Sequence, residues 1–484
     1  MQQGYTELLF KVILILLPSL VLSCPVHAQN PDIKRTTHWY FGNGAGIDFS
    51  SGEAVADTLG KLHTVESGSV MSDTAGNLLF YTDGDTVWNR NHQPMSNGTG
   101  LLSCGHWEGS SSQGAIIVPH PMGDSVYYIF TSDCLENNGV SGFRYSIVNL
   151  NMNNGLGDVV QKNVLLFAPS TEGIAATKHA NGKDFWIVTH EHNTDRFFAY
   201  LISTNGIDTV PVISSGGTIF SSYYTMLNFS FDGTTLGVFH YSTINELFKF
   251  NKSTGELTDR IGFGYGAYGP WFSPDNSKIY LTVSSYVFQF CISVYDSVAI
   301  ANSAVMVAYN PDNNTFAYIS QSGIDGRLYV SAKRYAVNGY IPGTVHVIQN
   351  PNNYGPSCNL EQYSFYLGGK EPDYGFPQFV STFCYSASAI QGSCDSTVGI
   401  PGNNFDDPIS VYPNPVNDKL FIQSASSKLF VQVIDSYGNK IREKVLANSE
   451  DYIDVSDIAT GIYNISFQSK DFRTFSKQKI LIIH

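Results

Sequence analysis

Short apolar and aromatic runs alternate along most of this chain with turns of Gly, Asn, Asp and Ser. One unit recurs: a polar turn, then a hydrophobic run that ends in Ser, Thr or His. Its instances are Gly76–Thr82, Asp124–Thr131, Lys183–Thr189, Gly233–His240, Asn276–Thr282 and Asp325–Ser331. Their first apolar residues are Leu78, Val126, Phe185, Leu236, Ile279 and Leu328, spaced 43 to 59 residues apart. Each run is too short for a helix, and the β-branched and aromatic content suits strands. A period near 40 to 50 residues is that of a propeller blade of four strands.

The flanks fill out each blade. A strand precedes each run, at 68–72, 115–119, 174–177, 227–231, 271–273 and 316–320. Another follows, at 86–88, 143–148, 197–202, 247–250, 287–292 and 345–348. Six repeats are therefore visible. The segment Trp39–Phe49 stands ahead of the first, and Tyr363–Tyr366 with Phe379–Phe383 stands after the last. Pairing these ends would close the ring and remove its open edges, so seven blades are favoured over six. The fold class expected is all-β: a propeller over residues 29–394, then a small β-sandwich.

The pattern changes after a polar linker at 395–408. Strand-like runs at 420–422, 429–434, 452–455, 461–467 and 479–482 alternate over a short span, as in an immunoglobulin-like sandwich. Within it stand Tyr412-Pro413-Asn414-Pro415, the turn Tyr437-Gly438, Asp457–Tyr463 with Gly461 and Tyr463, and a closing Lys477–Ile480 that contains Lys479. In this order the motifs resemble the C-terminal sorting domain of type IX secretion substrates of the Bacteroidetes, over residues 409–484. That resemblance implies recognition by an outer-membrane translocon, followed by surface attachment or release. Trp39–Phe49, Leu79–Gly84, Val87–Asn89, Asp325–Val330, Val347–Asn352 and Gly375–Phe379 resemble the propeller region of surface proteins from the same phylum, often found beside gliding-motility-associated domains. The second resemblance implies location and fold, not chemistry.

Residues 1–28 read as a secretory leader. Lys11 precedes the apolar run Val12–Leu22, and Val26-His27-Ala28 offers a cleavage site that would leave Gln29 first. Val21-Leu22-Ser23-Cys24 resembles a lipobox, so lipidation at Cys24 is the alternative to cleavage between Ala28 and Gln29. No later stretch is apolar for long enough to span a membrane. With 14% charged residues, 13% aromatics and 44 glycines, the chain suits many short strands and disfavours disorder. A formal charge of −14, with no basic cluster, excludes nucleic acid as a partner. Six cysteines follow the leader, and proximity in sequence suggests Cys104 with Cys134 and Cys384 with Cys394.

Candidate chemistry is sparse. The chain has no nucleophile elbow, zincin motif, phosphate loop or EF-hand. His190-Glu191-His192 would put two imidazoles on one strand face, making His190 and His192 the metal candidates, with His179 or His240 as a third ligand. Asp83-Gly84-Asp85 and Asn310–Asn314 are acidic turns with oxygen ligands for Ca²⁺, or plain turns. Tyr223, Tyr224, Tyr265, Tyr268 and Trp271 lie by Gly-rich turns, where they would stack on sugars at a propeller mouth or pack the core. No cofactor is implied. The reading is an exported surface propeller that binds a glycan or a protein. The alternatives are a surface hydrolase or lyase, which a convergent carboxylate pair would favour, and a structural module of a motility or adhesion assembly.

Overall fold

The computed structural model describes residues 30–66, 68–103, 110–219, 222, 224–240, 244–264, 266–283, 286–309, 315–336, 339–340, 343–384, 394, 410–413, 416–423, 430–435, 439–446, 448, 450–468 and 474–482. Blades one to six begin with inner strands Ser69–Ser72, Ala115–Pro119, Ser170–Lys178, Thr225–Phe229, Tyr268–Phe272 and Thr315–Ser322. In blades one, two, four and five three further strands follow outward as an antiparallel meander, and the sheets of blades three and six hold five strands each. Blades one and two also touch at their outer edges, where Ser96 pairs in parallel with Asp158. These inner strands are almost wholly buried on both faces, without the alternation of a sheet that has one wet face. Every apolar run that marked the repeat forms the second strand of its blade.

The seventh blade joins the two ends of the ring. His38–Phe41, Ala45–Asp48 and Val55–Ala56 form its outer three strands. Its inner position is filled by residues 371–378. Asn43 bridges Glu371 antiparallel, and Ser69 of blade one bridges Gln378 in parallel. Trp39 and Phe41 pack their rings on Phe376 at 5.4 and 4.8 Å. The expectation of seven blades closed by both ends therefore holds, but with different pieces. Tyr363–Tyr366 belongs to Leu360–Tyr366, the outer strand of blade six. Phe379–Phe383 does not stay in the ring.

Beyond Gln378 the chain enters the central channel and follows it to the other face. Phe379, Ser381 and Cys384 stand there with Ile116, Ile174–Ala176, Asn228, Phe229 and Trp271, which leaves a cavity of about 10 Å³. That is room for about one water. Ser381 Oγ donates to Ala176 O (3.2 Å), and Asn30 Nδ2 donates to Thr382 O (2.7 Å). The lower mouth is thus closed by a 3₁₀ turn, Ser381–Phe383, against another, Ile33–Thr36. Asp32 ties this corner together, pairing with Arg35 (2.8 Å) and Lys178.

This path corrects the expected cysteine pairing. Cys394 bonds to Cys291, at the end of the third strand of blade five. Cys384 is a buried free thiol. These neighbours in sequence end apart: Cys384 stands in the channel, whereas Cys394 is tied to the edge of blade five. Cys134 is disulfide-bonded, while its expected partner Cys104 lies outside the described residues. Cys358 is free and buried.

Two sheets form the C-terminal sandwich. One holds Ser410–Tyr412, Lys419–Gln423 and Glu450–Asp454. The other holds Phe430–Ile434, Lys440–Val445, Gly461–Gln468 and Thr474–Ile482. Strand Lys419–Gln423 buries Leu420 and Ile422 and leaves Lys419 and Gln423 outside, the alternation of a sheet with one wet face. Val431, Val433, Ile453, Ile465, Phe467 and Ile480 join that core.

Candidate functional site

The upper mouth, where the inner strands begin, collects titratable side chains. Three inner strands slip register there. The breaks lie between Ser170 and Ile174, Tyr268 and Trp271, and Ala317 and Ser320. Such bulges turn side chains out of the pleat and toward a site. Gly269 makes one of them possible. Its φ is +65°, and a Cβ there would lie 1.8 Å from Tyr318 O. Tyr268 and Tyr318 stand edge to face at 5.8 Å, and Tyr318 lies 4.1 Å from the ring of Tyr374. Tyr374 arrives on the ring-closing segment, where its N–H donates to Val65 O (2.8 Å) and so sets it beside Glu66. Tyr224, Tyr268, Tyr318 and Tyr374 are all half-buried.

Two carboxyls lie beneath these rings. Glu66 is 7% exposed, and Glu172 is 0% exposed. Tyr268 donates its hydroxyl to Glu66 Oε1. Glu172 Oε2 accepts from Ser112 N (2.9 Å) and Oγ (2.6 Å), and its Oε1 accepts from Leu135 N (3.0 Å). Burial pushes Glu172 up to about 7, against the pull of these donors. Burial, then the charge of Glu172, holds Glu66 well above the usual carboxylate range. Burial and Glu66 likewise raise the Tyr268 phenol. Among the described residues, Glu66 Oε2 has no hydrogen-bond partner. The group is therefore a proton-holding carboxyl pair under a tyrosine surface.

Gln113 organises the same mouth. Its Oε1 accepts from Ile174 N (3.1 Å) and Leu227 N (2.7 Å), while Nε2 donates to Leu227 O (2.8 Å) and Gln378 Oε1 (3.2 Å). One side-chain amide thus acts as a peptide unit between blades three and four.

Of the aromatic candidates, Tyr224 and Tyr268 reach this mouth. Trp271 lines the channel instead, and Tyr223 and Tyr265 lie outside the described residues. The histidine candidates part company. His190 is buried, with its ring 4.6 Å from Phe197, and burial pushes it down to about 3. Its strongest charge neighbour is His240, which lies 3.8 Å from Glu246. His192 lies beyond the strand end, held by its N–H to Pro169 O (3.3 Å). Among the described residues no three His, Cys, Asp or Glu side chains are grouped to hold a metal. Asp83 serves its turn, accepting from the N–H groups of Asp85 (2.9 Å) and Thr86 (2.8 Å). Residues 310–314 lie outside the described residues.

Sequence reading missed Glu66, Glu172, Tyr318 and Tyr374. A signal for the two acids existed. A long polar residue stands just ahead of a Gly where an inner strand starts, in Glu66-Ser67-Gly68, Gln113-Gly114 and Glu172-Gly173.

In the sandwich, Tyr412 stacks on Phe421 at 5.9 Å, beside Pro413. Gly461 opens the strand opposite Ile482. Tyr463 donates to Ala459 O (2.8 Å), and Lys479 pairs with Asn464. Asn414, Pro415, Gly438, Ala28 and Gln29 lie outside the described residues.

No curated protein matches the chain. Solved structures are similar to it at low identity. A quinonprotein alcohol dehydrogenase-like protein from Bacteroides thetaiotaomicron is 10% identical over 73% of this chain and 75% of its own, with a TM-score of 0.38. The Swd1 β-propeller domain of Myceliophteria thermophila is 11% identical over 62% and 93%, with a TM-score of 0.36. A functionally unknown protein from Desulfotomaculum acetoxidans is 13% identical over 55% and 77%, with a TM-score of 0.34. The propeller assignment rests on the sheet pattern described above. Residues 410–483 match the family model described as a secretion system C-terminal sorting domain. The sandwich is that sorting domain, and the chain is a type IX secretion substrate that carries a β-propeller to the cell surface.

Proposed function

We propose that the propeller is a surface binding module whose upper mouth takes a glycan. The observation that carries this reading is the half-buried cluster of Tyr268, Tyr318 and Tyr374, joined to Glu66 through the Tyr268 hydroxyl. Tyrosine rings offer apolar faces to a pyranose, and their hydroxyls offer hydrogen bonds to its edges. The channel behind them is filled by the chain itself, which favours a ligand lying across the mouth over a small molecule inside the ring. The described connections on this face include long ones at 57–66 and 132–142, whereas the opposite turns that follow the inner strands are short. Binding loops on a rigid scaffold follow that division.

The carboxyl pair also favours a second reading, a glycan hydrolase or lyase. A glycan-binding screen of the full chain, with product analysis of each ligand, separates the two. Binding without cleavage, weakened about tenfold by Tyr318→Ala, is expected from loss of one aromatic contact. Chain shortening of any polysaccharide would sink the binding reading, and capture of proteins alone would sink the choice of glycan.

A further inference from the structure

We infer that the upper mouth selects a sugar bearing a protonated amine, its ammonium group answering the paired carboxylates Glu66 and Glu172. The inference rests on the glycan-binding reading above and narrows it. Among the described residues, no Lys or Arg forms an ion pair with Glu66 or Glu172. Buried carboxylates are ordinarily paired, because an isolated buried charge is strongly unfavourable. Here Glu172 has three neutral donors, and Glu66 has one phenol and an oxygen, Oε2, with none. The missing counter-charge is then supplied by protons or by a ligand.

Three further observations point to the ligand. Glu136, exposed on the neighbouring loop, adds its negative charge to both buried acids. Tyr268, Tyr318 and Tyr374 pack together as one half-buried cluster, and a tyrosine ring attracts a cation as well as a sugar face. The formal charge of −14 favours approach of a cation over an anion. A tyrosine surface over unpaired carboxylates therefore complements an aminosugar better than a neutral or acidic one.

Titration calorimetry on the full chain at pH 7 tests this, with the glucosamine trimer and its N-acetylated trimer as probes. The charged trimer should bind at least about tenfold more tightly, the worth of one charge-assisted hydrogen bond. Glu66→Gln should remove that preference. Gln keeps an acceptor for the Tyr268 hydroxyl, so the fold should survive. Glu136→Gln, on an exposed loop, should reduce the preference about twofold whatever Glu66→Gln does to stability. Equal affinity for both trimers, with both lost in Tyr318→Ala, overturns the inference but leaves the glycan site standing. Binding of neither trimer, in a chain that does bind other glycans through Tyr318, also overturns it. Calcium binding that is lost in Glu66→Gln would reassign the carboxylates to a metal.

Discussion

At the scale of single residues, the mouth trades stability for reactive groups. Glu172 titrates near 7 in the fold against an ordinary value of 4.5, so the native state binds its proton more tightly than the unfolded chain does. The stability this gives is fully present below 4.5 and is lost as pH rises through 7, amounting to about 3 kcal/mol. Glu66 acts in the same direction. Urea unfolding at pH 5 and pH 8 should therefore find the propeller weaker at pH 8, and equal stabilities would contradict the burial of these acids. Gln113 is the opposite kind of residue, 0% exposed with every polar atom engaged. Gln113→Leu would leave the N–H groups of Ile174 and Leu227 and the carbonyl of Leu227 unpaired in the interior. A loss of about 3 kcal/mol or more is expected in denaturant titration. Neither role was legible from residue type. The sequence marks an acid or amide before a glycine, but only the ring brings Gln113 and Glu172 to one axis. His190 and His192 part for a related reason: the strand turns His190 into the core beside Phe197 and ends at Glu191, before His192.

At the scale of elements, the blade repeat was the most legible feature, because each second strand is a compact apolar run behind a turn. The inner strands were legible as strands but not as bulged ones. Register slips at Thr171–Gly173, Gly269–Pro270 and Tyr318–Ile319 depend on what faces them across the channel, so no local pattern announces them. The closing segment was legible only in part. The aromatic runs at 363–366 and 379–383 suggested the closing strand, yet residues 371–378 take that place, and Pro372, Gly375 and Pro377 interrupt their ladder. Gly375 passes so close to Glu66 that a Cβ would fall 1.2 Å from its carbonyl oxygen. Freed from regular pairing, the chain turns inward after Gln378 and fills the channel. The Cys291–Cys394 bond then fixes its exit, closing a loop with a sequence separation of 103. Loops of this length contribute about 4 to 5 kcal/mol in the chain-entropy account. Replacing both cysteines with serine should lower stability by about 2 to 5 kcal/mol. An unchanged denaturation midpoint would mean that the channel segment holds without its tether.

At the scale of the whole molecule, the cargo and its address are built separately. The ring closes on itself: residues 371–378 complete blade seven, and residues 381–383 meet the turn Ile33–Thr36 at the lower mouth. The sandwich has its own core, from Val416 to Ile482, and its own edge bridge between those two residues. The hydrophobic clusters of the ring include no residue of the sandwich. Deleting residues 410–484 should therefore leave the thermal midpoint of the propeller in place while removing the recognition element for outer-membrane passage. The expected result is a folded propeller held in the periplasm, protected from protease added to whole cells but released on lysis. The two readouts answer different questions. Loss of the thermal transition would show that the ring needs the sandwich to fold. A folded, protease-accessible propeller on intact cells would show instead that the address lies elsewhere in the chain.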